Sequence, residues 1–314
     1  MLPSKKTNHT VSLTLNTCLT DVHFLEKTLR HILRSLNYSF KERLIAVDTS
    51  LPKGHFSKRQ RGDFSDLQTV LDRMLTEGLI DRVDEVRWEE EQQKQIYQKY
   101  FGQEDISARC LSGTAVYQYL FALAQCSGDY ILHVDSDMLF YCGSENSWID
   151  EGIALMESDK RVMFTALAHP PRAESLREFL TGKPVNLLQE SIWGFCQDVS
   201  TRFFLCKRER LEQMLLPLAQ EKPGERLEKS LTYTLKQKGY TRGSLFDMNR
   251  WALHPKPHND NFIKHLDDLI WAVEHNVFPF RRQGRYPWDI YTYNRHIFYW
   301  LGIIRHAKLL TGFR

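Results

Sequence analysis

Long apolar runs are missing from this chain. No stretch of its 314 residues approaches the roughly 18–20 uncharged apolar residues of a membrane span. The N-terminal MLPSKKTNHTVSL also lacks the apolar core of a secretory signal, so a cytoplasmic protein is expected. The six cysteines, Cys18, Cys110, Cys126, Cys142, Cys196 and Cys206, include no CxxC or CxxxxC pair. That argues against zinc and disulfide frameworks and leaves buried reduced thiols. Internal repeats, low-complexity linkers and a Gly-rich phosphate loop near the N-terminus are absent too. With 42% hydrophobic and 12% aromatic residues, the chain is neither collagen-like nor disordered, and it has enough apolar content for one large domain or two small ones.

Charge is present but uneven. Residues 277–314 carry seven Lys and Arg against Asp289 alone, a net +6, which leaves −3 on the rest of a chain whose total is +3. A basic end on a mildly acidic body points to an anionic partner such as a diphosphate or a lipid headgroup; a solvated basic helix would read the same way. Nucleic acid would demand a basic face across the body, which is lacking.

The pattern along the chain is α/β. VSLTLNT (11–17) alternates as a strand, Thr20 or Asp21 is placed to cap a helix bearing Val22, Leu25, Leu29, Ile32, Leu33 and Leu36, and LIAVD (44–48) is a short apolar strand ending on a carboxylate. This is a βαβ unit, which implies a parallel sheet. A helix near 67–75, a strand within VDEVRW and a helix around 89–100 follow. A further helix opens at Ser112 or Gly113 and stops by Gly128, before YILHV (130–134) runs into Asp135-Ser136-Asp137. VMFTAL and RFFLC read as strands, Leu227, Leu231 and Leu235 mark a helix closed by Gly239, and Asn259 or Asp260 caps another.

In open α/β sheets ligands bind at the carboxyl ends of the strands, where Asp135 and Asp137 fall. Two carboxylates one residue apart repel each other unless a cation or ordered donors compensate them. Their hardness suits Mg²⁺ or Mn²⁺, which complete their shells with substrate phosphates. An Asp pair in a loop is also a common turn former.

The order of a βαβ ending in Val-Asp, a Gly-initiated helix, GDYI and Asp-x-Asp resembles the family-two glycosyltransferases and related nucleotide-sugar-dependent enzymes of the GT-A fold, over roughly residues 11–140. The resemblance implies a metal-dependent transfer of a sugar from a nucleotide-diphosphate sugar to an acceptor hydroxyl, with inversion, on a mostly parallel Rossmann-like sheet. Residues 1–255 would form the catalytic domain, with a nucleotide-binding half at 1–140 and an acceptor half at 141–255; residues 256–314 would be a helical basic extension. Asp48 and Thr17 would line the nucleoside pocket, Asp135 would hold ribose, and Asp137 the metal-bound diphosphate. The chain departs from the family at Asn16-Thr17-Cys18, where Pro-x-Tyr-Asn is usual, and at Tyr117-Gln118-Tyr119, where Arg-Asn is usual.

Counting back from Gly239-Tyr240, the resemblance puts the catalytic base at Glu228, with Glu225 as the near alternative. Asp198, in GFCQDVS, competes because a glycine and aromatics precede it, and Glu190 is a further carboxylate nearby. A Glu in the first turn of a helix also has a purely electrostatic reason to be there. Trp193 is placed to stack on an acceptor sugar or to pack in the core. In WALHPKPHN, His254, with His258 as the alternative, would join Asp135 and Asp137 as a metal ligand. Arg281 and Arg282, beside Arg285, match phosphate oxygens and would clamp the departing nucleotide. The C-terminal IYTYNRHIFYWLGIIRHAKLLTGFR has no acid, and as an amphipathic helix it would either pack on the domain or lie on a membrane surface near a lipid-linked acceptor.

Other classes share parts of this pattern. A haloacid-dehalogenase-type phosphotransferase also sets Asp-x-Asp after an apolar strand, but Met138 stands where Thr or Val is usual. A sugar nucleotidyltransferase needs the absent Gly-rich loop. A degenerate transferase that binds nucleotide sugars without turnover keeps every feature except activity.

Overall fold

The computed structural model describes residues 9–51, 62–144, 146–169, 192–256, 260–276 and 289–291. Strand β1 (Val11–Cys18) turns Val11, Leu13 and Leu15 to one face and Ser12, Thr14 and Asn16 to the other, all buried. Helix α1 (Leu25–Leu36) buries Leu25, Leu29, Ile32 and Leu36 at helical spacing, each contributing about 1.5–3 kcal/mol. It starts later than its expected cap. Asp21 accepts the backbone N–H groups of Phe24 and Leu25 through its carbonyl, in the turn before the helix. Strand β2 (Glu42–Asp48) pairs parallel with β1 from Ser12↔Glu42 to Cys18↔Asp48, and α2 (Phe64–Thr76), β3 (Arg82–Glu85) and α3 (Glu90–Phe101) follow.

Helix α4 begins at Tyr117 and runs to Gln125, not from Ser112 or Gly113. Gly113 has φ +87° and sits in a turn in which its N–H donates to the Cys110 carbonyl, a left-handed conformation that a helix start does not admit. Strand β4 (Tyr130–Asp135) pairs parallel with β1, with Asn16 opposite Asp135.

The remaining elements are β5 (Leu139–Cys142), α5 (Trp148–Ser158), β6 (Val162–Leu167), β7 (Ile192–Cys196), β8 (Phe203–Lys207), the short α6 (Arg208–Arg210), α7 (Leu227–Lys238), β9 (Thr241–Phe246), β10 (Arg250–Lys256), α8 (Asp260–Glu274) and β11 (Asp289–Tyr291). Leu227, Leu231 and Leu235 are the buried face of α7, and Gly239 ends it in the left-handed region.

Eight strands form one sheet in the order β3-β2-β1-β4-β8-β6-β9-β7, all but β8 and β7 running the same way. This is the mostly parallel α/β architecture that the resemblance implied. Leu13, Leu15, Ile45 and Val47 pack with α1, α2 and α5 on one side of the sheet, while Leu44, Ala46, Ile131 and Phe204 pack with α3, α4 and α7 on the other. A second sheet, β11-β10-β5, supports a third cluster in which Phe24, Leu139, Trp251 and Leu253 meet Phe262, Leu266 and Leu269 of α8. The start of the segment read as an extension thus packs on the body. No helix among the described residues is long and apolar enough to cross a membrane.

Candidate active site

The carboxyl ends of β1, β2 and β4 open into one cleft, lined by Asn16, Thr17, Asp48, Asp135, Asp137 and His254 among others, with Arg226 and Glu228 from the start of α7. Asp48, 1% exposed at the end of β2, is ion-paired with the Arg109 guanidinium and accepts the Ser50 N–H at 2.9 Å. Arg109 also donates to Ser50 Oγ at 2.8 Å and lies 5.8 Å over the Trp88 ring. A carboxylate this deeply buried needs such a partner. Together the pair presents an acceptor and a donor fork.

Asp135 is held from below. The Tyr119 hydroxyl donates to its Oδ1 at 2.7 Å, His133 Nε2 lies 3.3 Å from the same oxygen, and the Asp135 N–H donates to the Arg202 carbonyl at 2.6 Å. Burial first, then the charges of Asp135 and Glu228, raise the Tyr119 phenol well above its ordinary pKa, so it stays a neutral donor. Gln118 donates its amide to the carbonyls of Thr17 and Ala46, at 2.9 and 3.1 Å, tying α4 to the ends of β1 and β2. Gln118 and Tyr119, within the α4 segment that departs from the resemblance, are therefore used to build the site.

Asp137 and His254 meet, with Nε2 3.1 Å from Oδ2, because β10 runs antiparallel to β5 just beyond Asp137. Both are buried. One borderline and one hard donor converging at the cleft fit Mn²⁺ or Mg²⁺, which need only one or two side chains when substrate phosphates complete the shell. Among the described residues no cluster of three or more His, Cys, Asp and Glu is grouped for a metal. Of the three expected ligands the structure pairs two, and turns Asp135 toward Tyr119 and His133.

Asp21 does more than open the turn before α1 through its carbonyl. Its carboxylate accepts from Thr17 Oγ1 (3.2 Å), the Cys18 N–H (3.2 Å), Thr20 Oγ1 (3.0 Å) and Ser136 Oγ (3.0 Å), joining the end of β1 to the residue between the two aspartates. Burial, with Asp21 close by, pushes the Cys18 thiol up to about 12, so this wall of the cleft carries no thiolate. The pairing of Asp48 with Arg109 spans 61 residues and leaves no local signal in the sequence.

Glu228 lines the cleft, whereas Glu225 accepts the Glu221 N–H and the Ser230 hydroxyl as part of the α7 entry turn. The Asp198 side chain is 82% exposed, pairs with Lys236 and is not among the residues lining the cleft. Trp193 lies away from the cleft. It sits on the outer strand β7, four strands from β4, and packs near Gly243. Glu190, His258, Arg281, Arg282, Arg285 and residues 292–314 lie outside the described residues.

No protein-family model and no curated protein matches the chain. Among solved structures it is similar to glucosyl-3-phosphoglycerate synthase from Mycobacterium tuberculosis in complex with Mg²⁺ and uridine diphosphate, at 14% identity and TM-score 0.41 over 85% of this chain and 78% of that one. It is also similar to S. aureus TarS, at 12% identity and TM-score 0.39, over 84% of this chain and 40% of that one. GalNAc-T7 with UDP, GalNAc and Mn²⁺ is a third, at 11% identity and TM-score 0.44, over 80% and 44%.

Proposed function

We propose that this chain is a metal-dependent glycosyltransferase that moves a sugar from a nucleotide-diphosphate sugar to an acceptor hydroxyl with inversion. The observation that carries the reading is the convergence of the Asp137–His254 pair, Asp135 and the Asp48–Arg109 pair in one cleft, with Glu228 on its wall. Asp48 and Arg109 bind the nucleoside, and Asp135, steadied by Tyr119, accepts from ribose. Mn²⁺ or Mg²⁺ held by Asp137 and His254 would supply positive charge to the diphosphate as it leaves. Glu228 takes the acceptor proton as the acceptor oxygen attacks the anomeric carbon. The bond from that carbon to the diphosphate oxygen breaks on the opposite face, and its electron pair leaves with the nucleotide.

The reading keeps Arg281 and Arg282 as cations for the diphosphate. It also keeps the basic segment 290–314 as a peripheral membrane contact for a cytoplasmic enzyme acting on a lipid-linked acceptor. The test is Asp137→Ala, measured by titrating nucleoside diphosphates with and without Mn²⁺. The variant should fold and lose the Mn²⁺-dependent part of binding; binding equal to the parent's overturns the proposal.

A further inference from the structure

Asn16 is a buried amide at the end of β1. It is 7% exposed, and neither its Nδ2 nor its Oδ1 has a hydrogen-bond partner among the described residues, yet it lines the cleft. Buried carboxamides are nearly always satisfied, because leaving one unmade forfeits the water it gave up. A group that is costly to the free protein and faces the cleft calls for a ligand.

The sheet fixes what that ligand offers. β1 lies between β2 and β4, and Asn16 is level with Ala46 on one side and Asp135 on the other. Neighbouring strands are about 4.8 Å apart, and residues paired across parallel strands share a face. Asp48 lies two residues beyond Ala46 and so shares that face too. Asn16 therefore stands between Asp48, the carboxylate assigned to the nucleoside, and Asp135, the one assigned to ribose. A carboxamide carries both a donor and an acceptor, which matches a hydroxyl that gives one hydrogen bond and takes another.

We infer that Asn16 is a binding residue for the ribose hydroxyls of the donor nucleotide. The inference rests on the transferase reading and adds to it a residue that tells a ribonucleotide from its deoxy counterpart. It also predicts a trade between stability and binding, since the unmatched amide burdens the free protein and is matched when the nucleotide is bound.

The experiment compares the parent chain with Asn16→Leu, a substitution of similar size without polar atoms. UDP, GDP, ADP and CDP are titrated with Mn²⁺, and the one that binds is compared with its 2′,3′-dideoxy analogue; unfolding temperature is measured without ligand. Asn16→Leu should unfold at a higher temperature than the parent and bind the ribonucleotide about tenfold more weakly, while binding the dideoxy analogue equally well. Equal ribonucleotide binding by parent and variant overturns the inference, as does an equal loss for both ligands. If Asn16→Leu does not fold, Asn16→Ala must show the same selective loss or the inference falls. A parent that binds no nucleoside diphosphate overturns the transferase reading and this inference together, whereas failure of Asn16→Leu alone leaves the reading standing.

Discussion

Glu228 and Asp198 were both eligible as bases, and their surroundings separate them. Glu228 stands in the first turn of α7, on the wall that faces Asp135 through Tyr119, whereas Asp198 is in open solvent beside Lys236. Thr232, four residues after Glu228 and so on the same helical face, accepts the Val199 N–H at 3.0 Å and fixes that face toward the loop leading to β8. Glu228→Gln should keep nucleotide affinity and lose about 10²–10⁴-fold in transfer rate, the usual contribution of a general base. Asp198→Asn should leave both unchanged. Initial rates with saturating donor, alongside a binding titration, check this; an unaltered rate in Glu228→Gln removes it from the mechanism.

The β1-α1-β2 unit and the β4 strand were readable because their apolar spacing is strong and unbroken, and so was the placement of Asp48, Asp135 and Asp137 at strand ends. β5, β7, β9, β10 and β11 were not. β5 and β11 are only four and three residues long, β7 is interrupted by Gly194, and β9 and β10 mix polar and apolar residues, with Pro255 inside β10. Their pairing is decided by contacts across the fold, such as Leu139↔Leu253, which local pattern does not contain. The end of α4 shows a subtler miss. Helical residues stop at Gln125, and Gly128 serves close approach: a Cβ there would lie 2.6 Å from the Ser12 backbone nitrogen and 2.8 Å from the Ser12 hydroxyl, which its own N–H uses. Gly128→Ala must push β1 and β4 apart at their entry, at a cost of about 1–3 kcal/mol. Chemical denaturation should show a lower midpoint with an unchanged slope; a parent-like midpoint would mean that the strands yield freely.

The third cluster joins parts of the chain that no sequence pattern linked, and one histidine sits at its border with α1. His31, on α1, is fully buried. The Phe140 N–H donates to its Nε2 at 3.0 Å, so Nδ1 carries the proton and donates to Glu274 Oε1 of α8 at 2.9 Å; Arg34 also donates to that oxygen, and Ser35 is the other polar neighbour. One neutral imidazole therefore pins α1, β5 and α8 together, gripping β5 at Phe140, three residues beyond Asp137. Burial, outweighing its contact with Glu274, lowers the pKa of His31. Burial alone would raise Glu274, but hydrogen bonds from His31 and Arg34 prevail and hold it at about 2. Both shifts favour proton uptake by the unfolded chain, so both make stability fall with falling pH. The His31 contribution is complete above the ordinary histidine pKa of about 6.5 and declines below it; that of Glu274 is complete above about 4.3 and declines as pH falls toward 2. Unfolding temperature should therefore drop in two stages, first between pH 7 and 5 and then more steeply below pH 4. His31→Gln keeps a donor for Glu274 and an acceptor for Phe140 but does not titrate, so it should flatten the first stage and leave the second. If the variant loses stability between pH 7 and 5 as steeply as the parent, the first stage belongs to another group and His31 is only a packing residue.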